Sequence, residues 1–116
     1  MVQRRHKSER AGSAWPLCRT ASVKARPNLH ILTGAEVLGL TLTDRRATGV
    51  TLRRAGRVET VRARGEVILS AGAIGSPDIL LRSGIGPAAE LRALGIDVVC
   101  DNAGVGANLM EHPDRK

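Results

Sequence analysis

The sequence predicts a mixed α/β (α+β) fold in which an antiparallel β-meander leads into a buried strand and two short helices. Three observations predict it. Apolar residues alternate with polar ones between Leu29 and Val61, the period of strands with one wet face. Val67-Ile68-Leu69 is instead a continuous apolar run, the pattern of a strand covered on both faces. Gly75-Ser76-Pro77-Asp78 then supplies the hydroxyl cap, first-turn proline and early acid of a helix start.

Taken in order, the chain opens on a basic stretch. Residues 1–28 hold seven Lys or Arg against Glu9 alone, whereas the rest holds eleven basic and ten acidic residues, so the net charge of +7 belongs almost wholly to the start. Residues 1–25 mix Arg, Lys, Ser and Ala around Trp15-Pro16 without helical or strand period and read as a poorly ordered tail. Residues 26–116 form the one domain that a chain of 116 residues accommodates. Leu29, Ile31 and Thr33 alternate with polar neighbours, Gly34 permits a bend, and Val37, Leu38, Leu40 and Leu42 continue the apolar pattern. A polar turn over Asp44 to Gly49 follows, after which Val50, Leu52 and, across Ala55-Gly56, Val58 and Val61 keep period two. The reading is a three- or four-stranded meander over 29–63, its wet face covered by Thr and Arg. The buried strand spans 66–70, and the first helix 77–82, stopped at Ser83-Gly84. Ile85-Gly86-Pro87 starts a second helix over 87–94 that ends at Gly95. Ile96 to Val99 reads as a last brief strand, and Asp101 to His112 as a glycine-rich loop.

Composition narrows the function classes. Trp15 is the only aromatic residue, so the core is thin and stability marginal. No apolar run approaches the roughly 18 to 20 residues that span a bilayer, and no apolar segment follows the basic start as in a secretory leader. A cytoplasmic location is the resulting expectation. Cys18 and Cys100 share no metal-ligand or disulfide spacing and read as reduced thiols; no metal site is expected. The basic tail has neither stacking aromatics beyond Trp15 nor a recognisable reading module, which leaves nonspecific, salt-sensitive adhesion to nucleic acid and no specific recognition.

Chemistry-bearing residues are few. A buried strand that runs through Gly72 into a capped helix can present backbone amides to a phosphate or nucleotide, and it can equally be an ordinary β-to-α turn in which Gly72 and Gly75 permit close packing. Gly104-Val105-Gly106-Ala107-Asn108-Leu109 begins like a dinucleotide fingerprint but lacks its third glycine and a preceding buried strand. His6 and His30 read as surface residues, and His112, between Glu111 and Pro113, has no identifiable acid or base partner. No catalytic residue is assigned.

The run from Glu66 through Ser70-Ala71-Gly72-Ala73-Ile74-Gly75-Ser76-Pro77 to Ser83-Gly84-Ile85-Gly86-Pro87 resembles the second signature of the glucose-methanol-choline (GMC) flavoprotein oxidoreductases. Arg26-Pro27-Asn28-Leu29, Thr33-Gly34-Ala35-Glu36-Val37, Thr48-Gly49-Val50, Leu94-Gly95-Ile96, Gly104-Val105-Gly106, Asn108-Leu109 and Glu111-His112-Pro113 resemble the family in order and spacing as well. The resemblance covers residues 26–114 and is strongest to the choline-dehydrogenase-like branch.

What it implies is an FAD-binding flavoprotein fold and oxidation of the CH–OH group of a small alcohol, by a dehydrogenase or an oxidase. Family members bind FAD (flavin adenine dinucleotide) through an N-terminal Rossmann unit and use a His with a second His or Asn near their C-terminus. This chain contains neither region, so the resemblance implies an internal fragment, a partial FAD-binding domain, inactive in isolation. An inert remnant of a disrupted gene and a weak nucleic-acid binder are the competing readings. Carried over position by position, Val37 resembles the residue whose backbone meets the adenine ring, and Ala71 and Gly72 resemble the strand end beside the adenosine part of FAD. Small residues there let a cofactor approach the main chain. The resemblance ends upstream of Arg26, where Ser13-Ala14-Trp15-Pro16-Leu17-Cys18 departs from the family pattern, and Glu111 stands where the family commonly has Asp.

Overall fold

The structure, a computed structural model, describes residues 26–110. The basic tail over 1–25, with His6, Trp15 and Cys18, and the Glu111-His112-Pro113 motif lie outside the described residues.

Strands β1 (Ala35–Thr43), β2 (Arg46–Arg54) and β3 (Arg57–Arg62) form an antiparallel sheet in the order β1-β2-β3, the expected meander. Both connections are two residues long, and all four residues in them have positive φ: Asp44 and Arg45 at 49° and 65°, Ala55 and Gly56 at 48° and 77°. The turn expected over Asp44 to Gly49 is thus confined to Asp44-Arg45, because Arg46, Ala47 and Gly49 pair with β1 as strand. Successive left-handed residues match the right-handed twist of the flanking strands. On the inner face Val50 and Leu52 are buried, Leu52 completely, and they form a small core with Ala35. Leu32, Val37, Leu40 and Val67 pack against it from the rim.

Four further elements differ from the sequence expectation, each for a tertiary reason. The alternation over Leu29 to Thr33 forms no strand. A turn closed by the Leu29 N–H on the Arg26 carbonyl (3.1 Å) leads in, Leu32 rather than Ile31 packs on the core, and the sheet edge beside β1 is already taken by a helix. The run over 66–70 also forms no strand: no strand of the described residues pairs with it, so Val67 packs on the meander core and Leu69 is half-buried while Ile68 stays 72% exposed. Helix α1 spans Gly72–Arg82 and so begins five residues before the expected start at Pro77. Gly72, at φ 86°, turns the chain into it, and the Ser76 hydroxyl accepts from the Ala71 N–H (3.0 Å) rather than capping its own first turn. Pro77 sits inside the helix, where its missing N–H leaves the Ala73 carbonyl without its regular donor. Finally, the last strand lies at 100–101 rather than 96–99. The amides of Val99 and Cys100 both reach the Gly84 carbonyl (2.8 and 3.1 Å), which delays pairing until β5 (Cys100–Asp101) runs parallel to β4 (Ile85–Gly86).

The stop of the first helix and the second helix are found where expected. Ser83-Gly84 stops α1, with Gly84 at φ 78° and its N–H on the Leu81 carbonyl. Helix α2 (Ala88–Ala93) follows Pro87, buries Ala88 and Leu91, and receives a cap from the loop, as the Asp101 carboxylate accepts the Ala88 N–H at 3.0 Å. Among the described residues no helix is long and apolar enough to cross a membrane.

Candidate functional site

The site is built on a defect in β1. Its register against β2 shifts between Val37 and Gly39, so Leu38 is an extra residue and the ladder opens there. The end of α1 fixes the defect: Ser83 Oγ accepts the Leu40 N–H at 2.7 Å and donates to the Ile79 carbonyl at 2.6 Å. A side chain at position 39 would place its Cβ 3.2 Å from that hydroxyl, so glycine keeps the strand and the helix end together.

Beside the defect, between the inner face of the meander and the segment returning toward α1, lies a cavity of about 160 Å³. Val37, Val50 and Val61 line the sheet side, Val67, Leu69 and Ala71 the returning side, and Ile79 closes it from the helix. Gly49 lies at the sheet wall because a Cβ there would come within 2.4 Å of the Val61 carbonyl oxygen. Two charged residues, Arg62 and Glu66, also border it, Arg62 through its backbone because the neighbouring Val61 takes the inner face.

Two of the three residues singled out from the sequence, Val37 and Ala71, therefore come together on one cavity. Gly72 does not line it; as the next residue it forms the turn into α1, with open space where a Cβ would stand. Arg62 and Glu66 were not singled out, and nothing in the alternating pattern marks them, because only the fold-back of 63–71 brings them to the cavity. The Gly104-Val105-Gly106 segment forms a turn, with the Gly104 N–H on Asn102 Oδ1 at 3.0 Å, and no helix follows it among the described residues. That is not the geometry of a dinucleotide fingerprint. It borders a second, more open cavity of about 310 Å³ against Ile74, Pro77 and Leu81 of α1.

The chemistry available is that of binding. Whole small-molecule sites run to about 300–1,000 Å³, so the first cavity admits one ring system and not a dinucleotide. Its apolar walls suit the faces of a flat heteroaromatic ring, and the interrupted ladder beside Val37 leaves main-chain polar groups for the ring edge. Ala71 and Gly72 are both exposed, Ala71 at the cavity and Gly72 next to it in the turn. His30 is exposed on the segment before β1 and does not line the cavity. Among the described residues no group of His, Cys, Asp and Glu could hold a metal ion, and no charged side chain is buried.

Comparison with known proteins bears on the family and the fold. The chain matches the GMC oxidoreductase family over residues 1–114. It is 56% identical over 92 residues to 5-(hydroxymethyl)furfural oxidase of Methylovorus sp. (strain MP688), covering 79% of this chain and 17% of that protein. To the oxygen-dependent choline dehydrogenase of Sinorhizobium fredii (strain NBRC 101917 / NGR234) it is 48% identical over 87 residues, 75% of this chain and 16% of that one. Among solved structures it superposes on an FAD-dependent oxidoreductase from Chaetomium thermophilum with a TM-score of 0.68 and 38% identity, covering 72% of this chain and 15% of that one. The chain thus spans about one sixth of the length of the curated relatives it matches.

Proposed function

The chain belongs to the GMC oxidoreductase family, and from that membership we infer that it forms the adenosine-side wall of the FAD site in an oxidoreductase acting on the CH–OH group of small alcohols. The observation that carries this reading is the convergence of Val37 and Ala71 on one apolar cavity of ring size beside an interrupted strand. The backbone at Val37 faces the edge of the adenine ring, and Ala71 and Gly72 line the approach of the ribose without side chains that would block it. Val50, Val61 and Ile79 hold the ring faces and exclude water from them. When bound, FAD supplies the hydride acceptor for alcohol oxidation.

The 116-residue chain does not itself oxidise an alcohol. Hydride removal needs a base at the hydroxyl, and the carboxylates at the two cavities, Glu66 and Asp78, are both exposed, with Asp78 already paired to Arg82. A cavity that admits one ring engages a minor part of the cofactor, and the described residues supply few of the contacts that tight binding requires.

The test is flavin retention by the purified chain. After incubation with excess FAD and desalting, we expect a colourless protein with no flavin absorption band and no turnover of primary alcohols. A yellow preparation that keeps its band through gel filtration would overturn this reading in favour of a self-sufficient flavoprotein.

A further inference from the structure

We propose that the open edge of β3 is a pairing surface for a second copy of this chain, joining two meanders into one continuous antiparallel sheet. The phase of the ladder decides which groups are free. The Ala63 N–H bonds the Thr48 carbonyl at 2.8 Å, one step beyond the pair Gly49 and Arg62, so the odd-numbered residues of β3 bond inward to β2. The N–H and C=O of Val58, Thr60 and Arg62 therefore point outward, and every residue of β3 is exposed. No other element of the described residues lies along that edge.

A two-fold antiparallel partner satisfies all three outward residues in one register only, centred on Thr60. There Thr60 faces Thr60 of the second copy, and Val58 faces Arg62 in both directions, so every outward N–H and C=O of both edges finds a partner. The side chains agree with that register. Threonines across a strand pair are favourable. Val58, 61% exposed, gains the aliphatic stem of the opposing Arg62 as cover. Glu59 faces Val61 and Arg57 faces Ala63, so no two like charges stand directly opposite. Shifting the strands by one hydrogen-bonded step toward the Ala55-Gly56 turn would set Glu59 against Glu59, which disfavours that alternative.

The pairing closes at two copies. The opposite edge of the sheet is not open, because α1 packs along β1 and the Ser83 hydroxyl already accepts the Leu40 N–H. An isologous edge contact with the far edges blocked gives a dimer and not a growing ribbon. Each copy carries a net charge of +7, so association strengthens as salt screens the repulsion.

The experiment is sedimentation of the full 116-residue chain, kept reduced, over a hundredfold range of concentration at low and moderate salt. We expect the average mass to rise from 12.3 kDa toward twice that value, at lower concentration when salt is present. In Thr60→Pro the imide removes an outward N–H and leaves the inward ladder intact; it should stay monomeric with an unchanged far-ultraviolet circular dichroism spectrum. Val58→Lys, which sets a cation against the opposing Arg62, keeps the test decisive if the proline variant fails to fold, and should raise the dissociation constant at least tenfold. A mass of 12.3 kDa across the whole range, or dimers of unchanged affinity in Val58→Lys, would overturn the proposal.

Discussion

Replacing Ser83 with Ala tests how the end of α1 shapes the cavity wall. The hydroxyl makes two bonds, accepting from the Leu40 N–H at 2.7 Å and donating to the Ile79 carbonyl at 2.6 Å. Alanine removes both and leaves a half-buried amide without an acceptor, which costs about 1–3 kcal/mol for a buried group. Ser83 and Leu40 are only partly buried, so the lower end applies, and because Ser83 is the cap after the last helical residue, the interior helix propensity of alanine brings no offset. The net effect is about 1 kcal/mol, concentrated at the β1 defect. Amide hydrogen exchange resolved by residue is the assay: the Leu40 amide should exchange roughly five- to tenfold faster in Ser83→Ala. Amides of Thr51 and Leu52 in the middle of the sheet should change much less. Identical Leu40 protection in both proteins would refute the reasoning, since the amide would then have another acceptor.

Three further substitutions probe the frame around the site. Ala55 holds φ 48° ahead of Gly56, a position costly for alanine and favourable for asparagine, so Ala55→Asn should stabilise the β2–β3 hairpin by about 0.5–1 kcal/mol, measured as slower exchange of its amides. Gly49→Ala would drive a Cβ to within 2.4 Å of the Val61 carbonyl oxygen. Backbone cannot yield as a side chain end would, so β3 should separate from β2 at a cost of roughly 1–3 kcal/mol, seen as lost strand signal in circular dichroism. Asp101→Ala removes the carboxylate that accepts the Ala88 N–H, and should expose the amides of α2 to faster exchange by an equivalent of about 1 kcal/mol.

Local chemistry was legible where local chemistry decides. The alternation on either side of the first turn, the Ala55-Gly56 connection and the Ser83-Gly84 and Gly95 stops come from backbone preference and period alone, and all appear in the structure, whereas Arg46 to Gly49 have the polar composition of a turn and are held as strand by pairing with β1. The misreadings are of another kind. Val67-Ile68-Leu69 has the texture of a buried strand, but a strand exists only beside another, and none of the described residues pairs with it. Pro77 and Ser76 have the residue types of a helix start, yet Ser76 spends its hydroxyl on the Ala71 amide and the helix begins at Gly72. Neither the β1 defect nor its tie to Ser83 leaves a trace in a linear pattern, because it joins residues 43 positions apart. For the site, Val37 and Ala71 were legible only through resemblance to a family. Their meeting on one cavity, with Arg62 and Glu66 at its wall, is a property of the fold.

The central claim is that the cavity between Val37 and Ala71 receives the adenosine end of the cofactor and not its flavin end. Saturation-transfer NMR on the 116-residue chain separates the two halves of FAD, using AMP and FMN in parallel at millimolar concentration, where weak partial ligands remain detectable. The account predicts transfer to the adenine protons of AMP, little or none to the isoalloxazine of FMN, and loss of the AMP signal in Ala71→Leu, whose added side chain fills the cavity from an exposed position. Transfer to FMN with AMP silent, or an AMP signal indifferent to Ala71→Leu, would contradict it.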